Sequence, residues 1–233
     1  MQFSLKRKPN FHGKFNFEPF PKRDLRFEGI YNGITVEVSD PTQIKALYEN
    51  GCYGKGSKSR GAPDSGDADE KLLLGLEEAA FLAFYLESLI IKDTTGQQMN
   101  WTDYLQVALQ LNERFIEHLA AYLYLKSKNW VIKSGIKFGG NFLIYKHSPL
   151  YYHAAFLVII QTLVESELYI PKNLQGLQRV AETSDKDVLL LTVFTSSGLN
   201  AFYDMPASLG TLTINETVVR RFNYTAFVQS KQK

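Results

Sequence analysis

The chain has 233 residues, 45% hydrophobic and 13% aromatic, with a net charge of +2. That is enough apolar material for one large domain or two small ones, and the net charge rules out neither nucleic-acid nor protein partners. The single cysteine, Cys52, excludes an intrachain disulfide and a cysteine-built metal site, and fits a reducing compartment.

Residues 1–26 read as a basic, flexible arm, with Lys6, Arg7, Lys8, Lys14, Lys22, Arg23 and Arg26 against Glu18 and Asp24. Its opening, MQFSLKRKPNF, lacks the apolar run of a secretory signal, and the Lys6-Arg7-Lys8 run is the feature that points to a nuclear location. Residues 27–38 alternate apolar and polar around Asn32-Gly33, which predicts a hairpin. Asp40-Pro41 opens a short helix closed by Gly51. Residues 54–70, rich in Gly, Ser, Pro and Asp, predict a flexible loop.

The segment Leu72–Ile91 is apolar enough to suggest a span, but Glu77, Glu78 and Glu87 interrupt it, and three carboxylates in lipid cost too much. The expectation is a buried helix over about 71–91 and no membrane insertion. Residues 101–128 are helical by period, with a break near Asn112. Residues 129–146 read as two short strands separated by Ser134-Gly135 and Gly139-Gly140, and 154–163 as a buried strand. Asn173 could cap a helix to about Thr183. Residues 187–195 form another buried strand, and 209–222 one or two more. The resulting division is an arm (1–26), an N-terminal α+β part (27–111) and a C-terminal α/β part with a mixed sheet flanked by helices (112–233).

Between Glu117 and Glu165 there is no carboxylate, while five lysines and three histidines fall in that interval. Such a stretch suits an anionic substrate, or equally a solvated lysine-rich face. It offers no cage for the hard cation of a metal-dependent nuclease. A phosphate-binding loop, a dinucleotide fingerprint and a serine-nucleophile elbow are all missing, and His147 and His153 lack an acidic ligand nearby. No metal or cofactor is expected. What stands out is YKHSPLYYH, residues 145–153, a Pro-containing loop at the mouth of two buried strands, where chemistry can be displayed on a rigid scaffold. Taken one at a time, Tyr145, His153 and Lys186 also fit a strand end, a surface histidine and a strand-edge charge, and composition stops at an RNA- or protein-binding domain.

The run from Asn129 to Ile160 resembles the catalytic signature of the tRNA intron endonuclease family, through Gly135, Lys137, Phe138, Gly139, Asn141, Phe142, Tyr145, Pro149 and His153. RVAETSDKDVLLLTV, with Arg179 and Lys186, resembles the family's downstream segment. EGIYNGITVEVSDPTQIKALYENGCYGKG and LLGLEEAAFLAFYLESLII resemble the N-terminal part of the eukaryotic subunit that cuts the 5′ splice site. The resemblance implies a catalytic subunit that cuts intron-containing precursor tRNA without metal, leaving a 2′,3′-cyclic phosphate and a 5′-hydroxyl. It implies Tyr145 as base, His153 as acid and Lys186 as stabiliser of the phosphorane. A Lys186 ammonium beside Tyr145 is expected to lower the phenol's pKa. It further implies an Arg179–Phe222 clamp on an extruded base, and a heterotetramer with a second catalytic and two structural subunits.

Overall fold

The computed structural model describes residues 6–8, 18–22, 24–59, 61–63, 67, 69–162, 175, 176, 179, 186–194 and 206–220. Among these residues, ten strands fall into two five-stranded sheets, one in each part of the chain.

The N-terminal sheet is built from β1 (Phe27–Tyr31), β2 (Val36–Val38), β3 (Lys55–Gly56), β4 (Leu72–Leu74) and β5 (Leu89–Lys92), in the order β3-β4-β2-β1-β5. The β1–β2 hairpin turns where Asn32-Gly33 predicts: Asn32 Oδ1 accepts from the amides of Ile34 (3.0 Å) and Thr35 (2.8 Å). Helix α1 (Pro41–Glu49) starts under an Asp40 cap, whose carboxylate accepts from the amides of Thr42 and Gln43 at 2.9 Å each. The expected loop over 54–70 donates β3 to the sheet, and Glu70 ties it down by accepting from the Ser59 amide (2.7 Å) and hydroxyl (2.9 Å).

The single helix expected over 71–91 is instead a strand, a short helix α2 (Leu76–Ala80) running into a π turn (Phe81–Tyr85), and a second strand. Leu72–Leu74 fills the gap between β2 and β3, and Leu89–Lys92 pairs in parallel with β1. The physical reason is Glu78. Its carboxylate accepts from the amides of Gly75 (3.1 Å) and Gly54 (3.2 Å), which fixes the helix start at residue 76. No helix among the described residues is long and apolar enough to cross a membrane.

Helices α3 (Trp101–Leu111) and α4 (Phe115–Ser127) break at Asn112, as the period predicts. Asn100 caps α3 in a reciprocal pair with Asp103. Beyond α4 comes the mixed sheet: β6 (Val131–Ser134), β7 (Phe142–Tyr145), β8 (Phe156–Thr162), β9 (Asp187–Phe194) and β10 (Thr213–Val219), ordered β10-β9-β8-β7-β6. Within this sheet, among the described residues, only β8 and β9 pair in parallel. The expected helix from Asn173 lies largely outside the described residues.

Period-two alternation splits the side chains of this sheet between two clusters. Phe142, Ile144, Phe156, Val158, Leu189 and Leu191 face a large core that also holds α4 and the N-terminal sheet. Leu143, Leu157, Ile159, Val188 and Leu190 face a smaller cluster on the opposite side. One continuous core therefore joins the two parts of the chain. Two lysines reinforce the joint. Lys133 Nζ donates to the carbonyls of Cys52 and, at 2.6 Å, Gly54, while Lys126 Nζ donates to Pro19 O (3.3 Å) and lies 4.5 Å from the centre of the Tyr53 ring. Burial pushes the Lys126 ammonium down to about 8, against the pull of Glu78.

Candidate active site

The motif residues divide into supports and displayed groups. Gly135 is a support of the first kind: a Cβ there would sit 2.8 Å from the backbone C and O of Phe142, so β6 can turn beneath β7 only without a side chain. Gly139 closes the 3₁₀ turn Ile136–Phe138 with φ of 72°, a left-handed conformation that side chains rarely adopt. Asn141 is a pin. Its Oδ1 accepts from the Ile160 amide (2.8 Å), and its amide nitrogen lies 3.2 Å from Nε2 of His118 on α4. Gly135→Ala is expected to cost about 2 kcal/mol or more, seen as a fall of several degrees in the melting temperature. An unchanged melt would contradict this reading of the glycine.

The displayed groups gather at one end of the sheet. Tyr145 is the last residue of β7, His153 precedes the first residue of β8 by three positions, and Lys186 immediately precedes β9. Because β7, β8 and β9 are neighbours, the outer two strand ends lie roughly 10 Å apart, two strand spacings. Tyr145 shares the Leu143 face and packs on the smaller cluster, as does Phe138. The Lys186 ammonium lies 4.6 Å from the centre of the Phe138 ring, on that same side. Just before β8 the alternation slips. The Ala155 amide donates to Ile144 O (2.8 Å), Ala155 packs on the large core beside Phe156, and Ala154 joins the smaller cluster. This bulge-like slip lets the loop carrying His153 leave the sheet, and His153 is exposed.

The loop between Tyr145 and His153 is held rather than loose. The amides of Tyr151 and Tyr152 both donate to Ser148 O at 3.1 Å, and the buried Ser148 hydroxyl accepts from the Cys52 thiol at 3.5 Å. The Tyr152 ring packs at 5.0 Å, tilted by 42°, against His147, whose pKa is lowered by burial and by the charges of Lys146 and Arg7.

Electrostatically the site departs from the expectation for Tyr145. Burial raises the phenol's pKa above its ordinary value near 10, the opposite of the lowering expected from Lys186. The sequence reading also missed Tyr48 of α1. Its own pKa is raised by burial first, and then by charge on Cys52 and on Tyr145, which places the two phenols within electrostatic reach. Phe138 as the seat of the lysine was equally unread, although an aromatic two residues upstream of Gly140 is the available signal. Arg179 is helical and exposed, whereas Phe222, the other half of the expected clamp, lies outside the described residues. A cavity of about 460 Å³ opens at the junction of the two parts, lined by Gly54, Glu77, Glu78, His118, Lys133 and Asn141 among others. None of the three displayed residues lines it. Among the described residues no group of three His, Cys, Asp or Glu side chains is placed to hold a metal ion.

Comparison with known proteins converges on one family. Residues 27–105 match the model of the tRNA intron endonuclease N-terminal domain, and residues 115–199 that of its catalytic C-terminal domain. The chain is similar to the mouse tRNA-splicing endonuclease subunit Sen2, 32% identical over 163 residues, which is 66% of this chain and 35% of the mouse protein. It thus spans only about a third of that relative. It is also similar to subunit Sen2-1 of Arabidopsis thaliana (24% identical, covering 84% of this chain and 80% of the relative). The tRNA-splicing endonuclease of Sulfolobus acidocaldarius is 28% identical over 71% of this chain and 90% of its own length. With both domains matched in order and on the two sheets described above, the chain belongs to the tRNA intron endonuclease family.

Proposed function

We propose that this chain is a catalytic subunit of a tRNA-splicing endonuclease and cuts intron-containing precursor tRNA at the 5′ splice site. The observation that carries the reading is the gathering of Tyr145, His153 and Lys186 at neighbouring strand ends of one sheet, with the His153 side chain exposed. A phenol, an imidazole and an ammonium at one sheet end are the base, acid and stabilising cation that transesterification at an RNA phosphate requires. The N-terminal resemblance supports the 5′ assignment.

In this reading the ribose 2′-oxygen attacks the adjacent phosphorus, and its proton passes to the Tyr145 phenolate. The bond from phosphorus to the 5′-oxygen of the next nucleotide breaks, and His153 delivers a proton to that oxygen. The products are a 2′,3′-cyclic phosphate and a 5′-hydroxyl. Lys186 offsets the charge that builds on the phosphorane, where a fixed cation acts most strongly. The chain works within a heterotetramer beside a second catalytic and two structural subunits, in the nucleus, with Arg179 and Phe222 gripping an extruded base. The chemical step needs no metal.

The test is cleavage of an intron-containing precursor by the reconstituted complex in EDTA, with cobalt hexammine supplied to fold the RNA. Cutting with cyclic-phosphate ends is the expected result. Complete loss of cutting, restored by magnesium, would contradict it.

A further inference from the structure

The basic arm does not hang free where it meets the site. Lys6, Arg7 and Lys8 run antiparallel to the end of the catalytic loop: the Lys8 amide donates to Tyr151 O (2.9 Å), and the His153 amide donates to Lys6 O (3.0 Å). In an antiparallel pair bonded through its flanking residues, the two central side chains lie side by side on one face. Here these are Arg7 and Tyr152, with the guanidinium carbon 5.8 Å from the ring centre. The Lys8 ammonium donates to Pro149 O at 2.8 Å, on the loop itself. By alternation, Lys6 then stands directly opposite His153, on the face away from Arg7, and both are exposed.

We infer that Lys6 is a substrate-positioning residue that binds the RNA phosphate one nucleotide downstream of the cut. This rests on the reading of His153 as the group that protonates the leaving 5′-oxygen. If His153 faces that oxygen, its ladder partner faces the nucleotide that carries it, whose next phosphate is the anion within reach of a lysine. The backbone of the same residue performs a second task, because Lys6 O holds the His153 amide and with it the end of the loop. The basic segment at residues 6–8 thus borders the site, with the Lys6 charge turned to the RNA and its main chain holding the loop that carries His153.

The experiment uses the assembled complex and an uncleavable precursor carrying a 2′-deoxyribose at the cut. Affinity is measured across a range of salt, with the downstream phosphate either natural or replaced by a neutral methylphosphonate. One phosphate contact contributes a slope of about 0.7–0.9 in the log–log salt plot, or roughly five- to eightfold in affinity per tenfold dilution of salt. Lys6→Gln, which keeps the main-chain bond, is expected to lower affinity by about fivefold near 0.1 M salt and to reduce the slope by about one contact. Lys6→Arg is expected to restore both. On the methylphosphonate RNA, Lys6→Gln is expected to have no further effect. An equal loss on the neutral and natural RNA, or an unchanged salt slope, would overturn the assignment. Because affinity is read without cleavage, these outcomes stand apart from failure of the endonuclease reading, which would show as no cutting of a normal precursor by the wild-type complex.

Discussion

Replacing His153 with alanine is expected to slow cutting by roughly 10²–10⁴-fold, the usual contribution of a positioned acid, while assembly and precursor binding stay nearly intact. The structure explains why the loss should be confined to chemistry. The side chain is exposed, and the bonds that hold the loop at this point come from the main chain: His153 N–H to Lys6 O, and the Tyr151 and Tyr152 amides to Ser148 O. Alanine keeps all of them. Single-turnover cleavage by the assembled variant, beside a binding measurement on the same RNA, checks the claim. Cutting at the wild-type rate would remove His153 from the mechanism.

Lys186→Met is expected to cost about 10²–10³-fold in rate, the scale for removing one preorganised donor to a developing anion. It should do so without moving the alkaline limb of the pH–rate profile. With phenolate as base and imidazolium as acid, the rate follows the product of two forms whose populations change oppositely with pH. Since the base has the higher pKa, that product is flat between the two titrations and falls outside them. Burial raises the Tyr145 pKa, so its phenolate fills at higher pH and the plateau extends upward past the ordinary value near 10. The Lys186 ammonium lies over the Phe138 ring, and burial is the cause of the tyrosine's upward shift. A profile measured for both proteins separates the possibilities. An alkaline limb that moves upward in the methionine variant would show that Lys186 also acts on the phenol.

Much of this arrangement is legible in the sequence, for identifiable reasons. Hairpin, capped helix α1, the break at Asn112 and the strands on either side of the Gly135–Gly140 turn are local events, written in turn residues and hydrophobic period. The segment 71–91 is misread because its leucines satisfy a strand as well as a helix, and the choice is made by partners far along the chain. Glu78 is fixed by the Gly54 amide, and Leu72–Leu74 by the strands it joins. Tyr145, His153 and Lys186 are readable as candidates, but their meeting depends on β8 and β9 pairing in parallel across a long connection. The setting of the tyrosine is not legible, since burial and the seat of Lys186 on Phe138 exist only after folding. The docking of Lys6–Lys8 on the loop at 151–153 is hidden for the same reason.

The most direct measurement is single-turnover cleavage of an intron-containing precursor by the complex carrying His153→Ala in this chain, with the 5′ and 3′ cuts resolved separately. The account predicts that the 5′ cut is lost while the 3′ cut, made by the other catalytic subunit, continues at its wild-type rate. Loss of both cuts in an assembled complex would contradict it, showing that these residues serve shared binding of the precursor and not chemistry at one splice site.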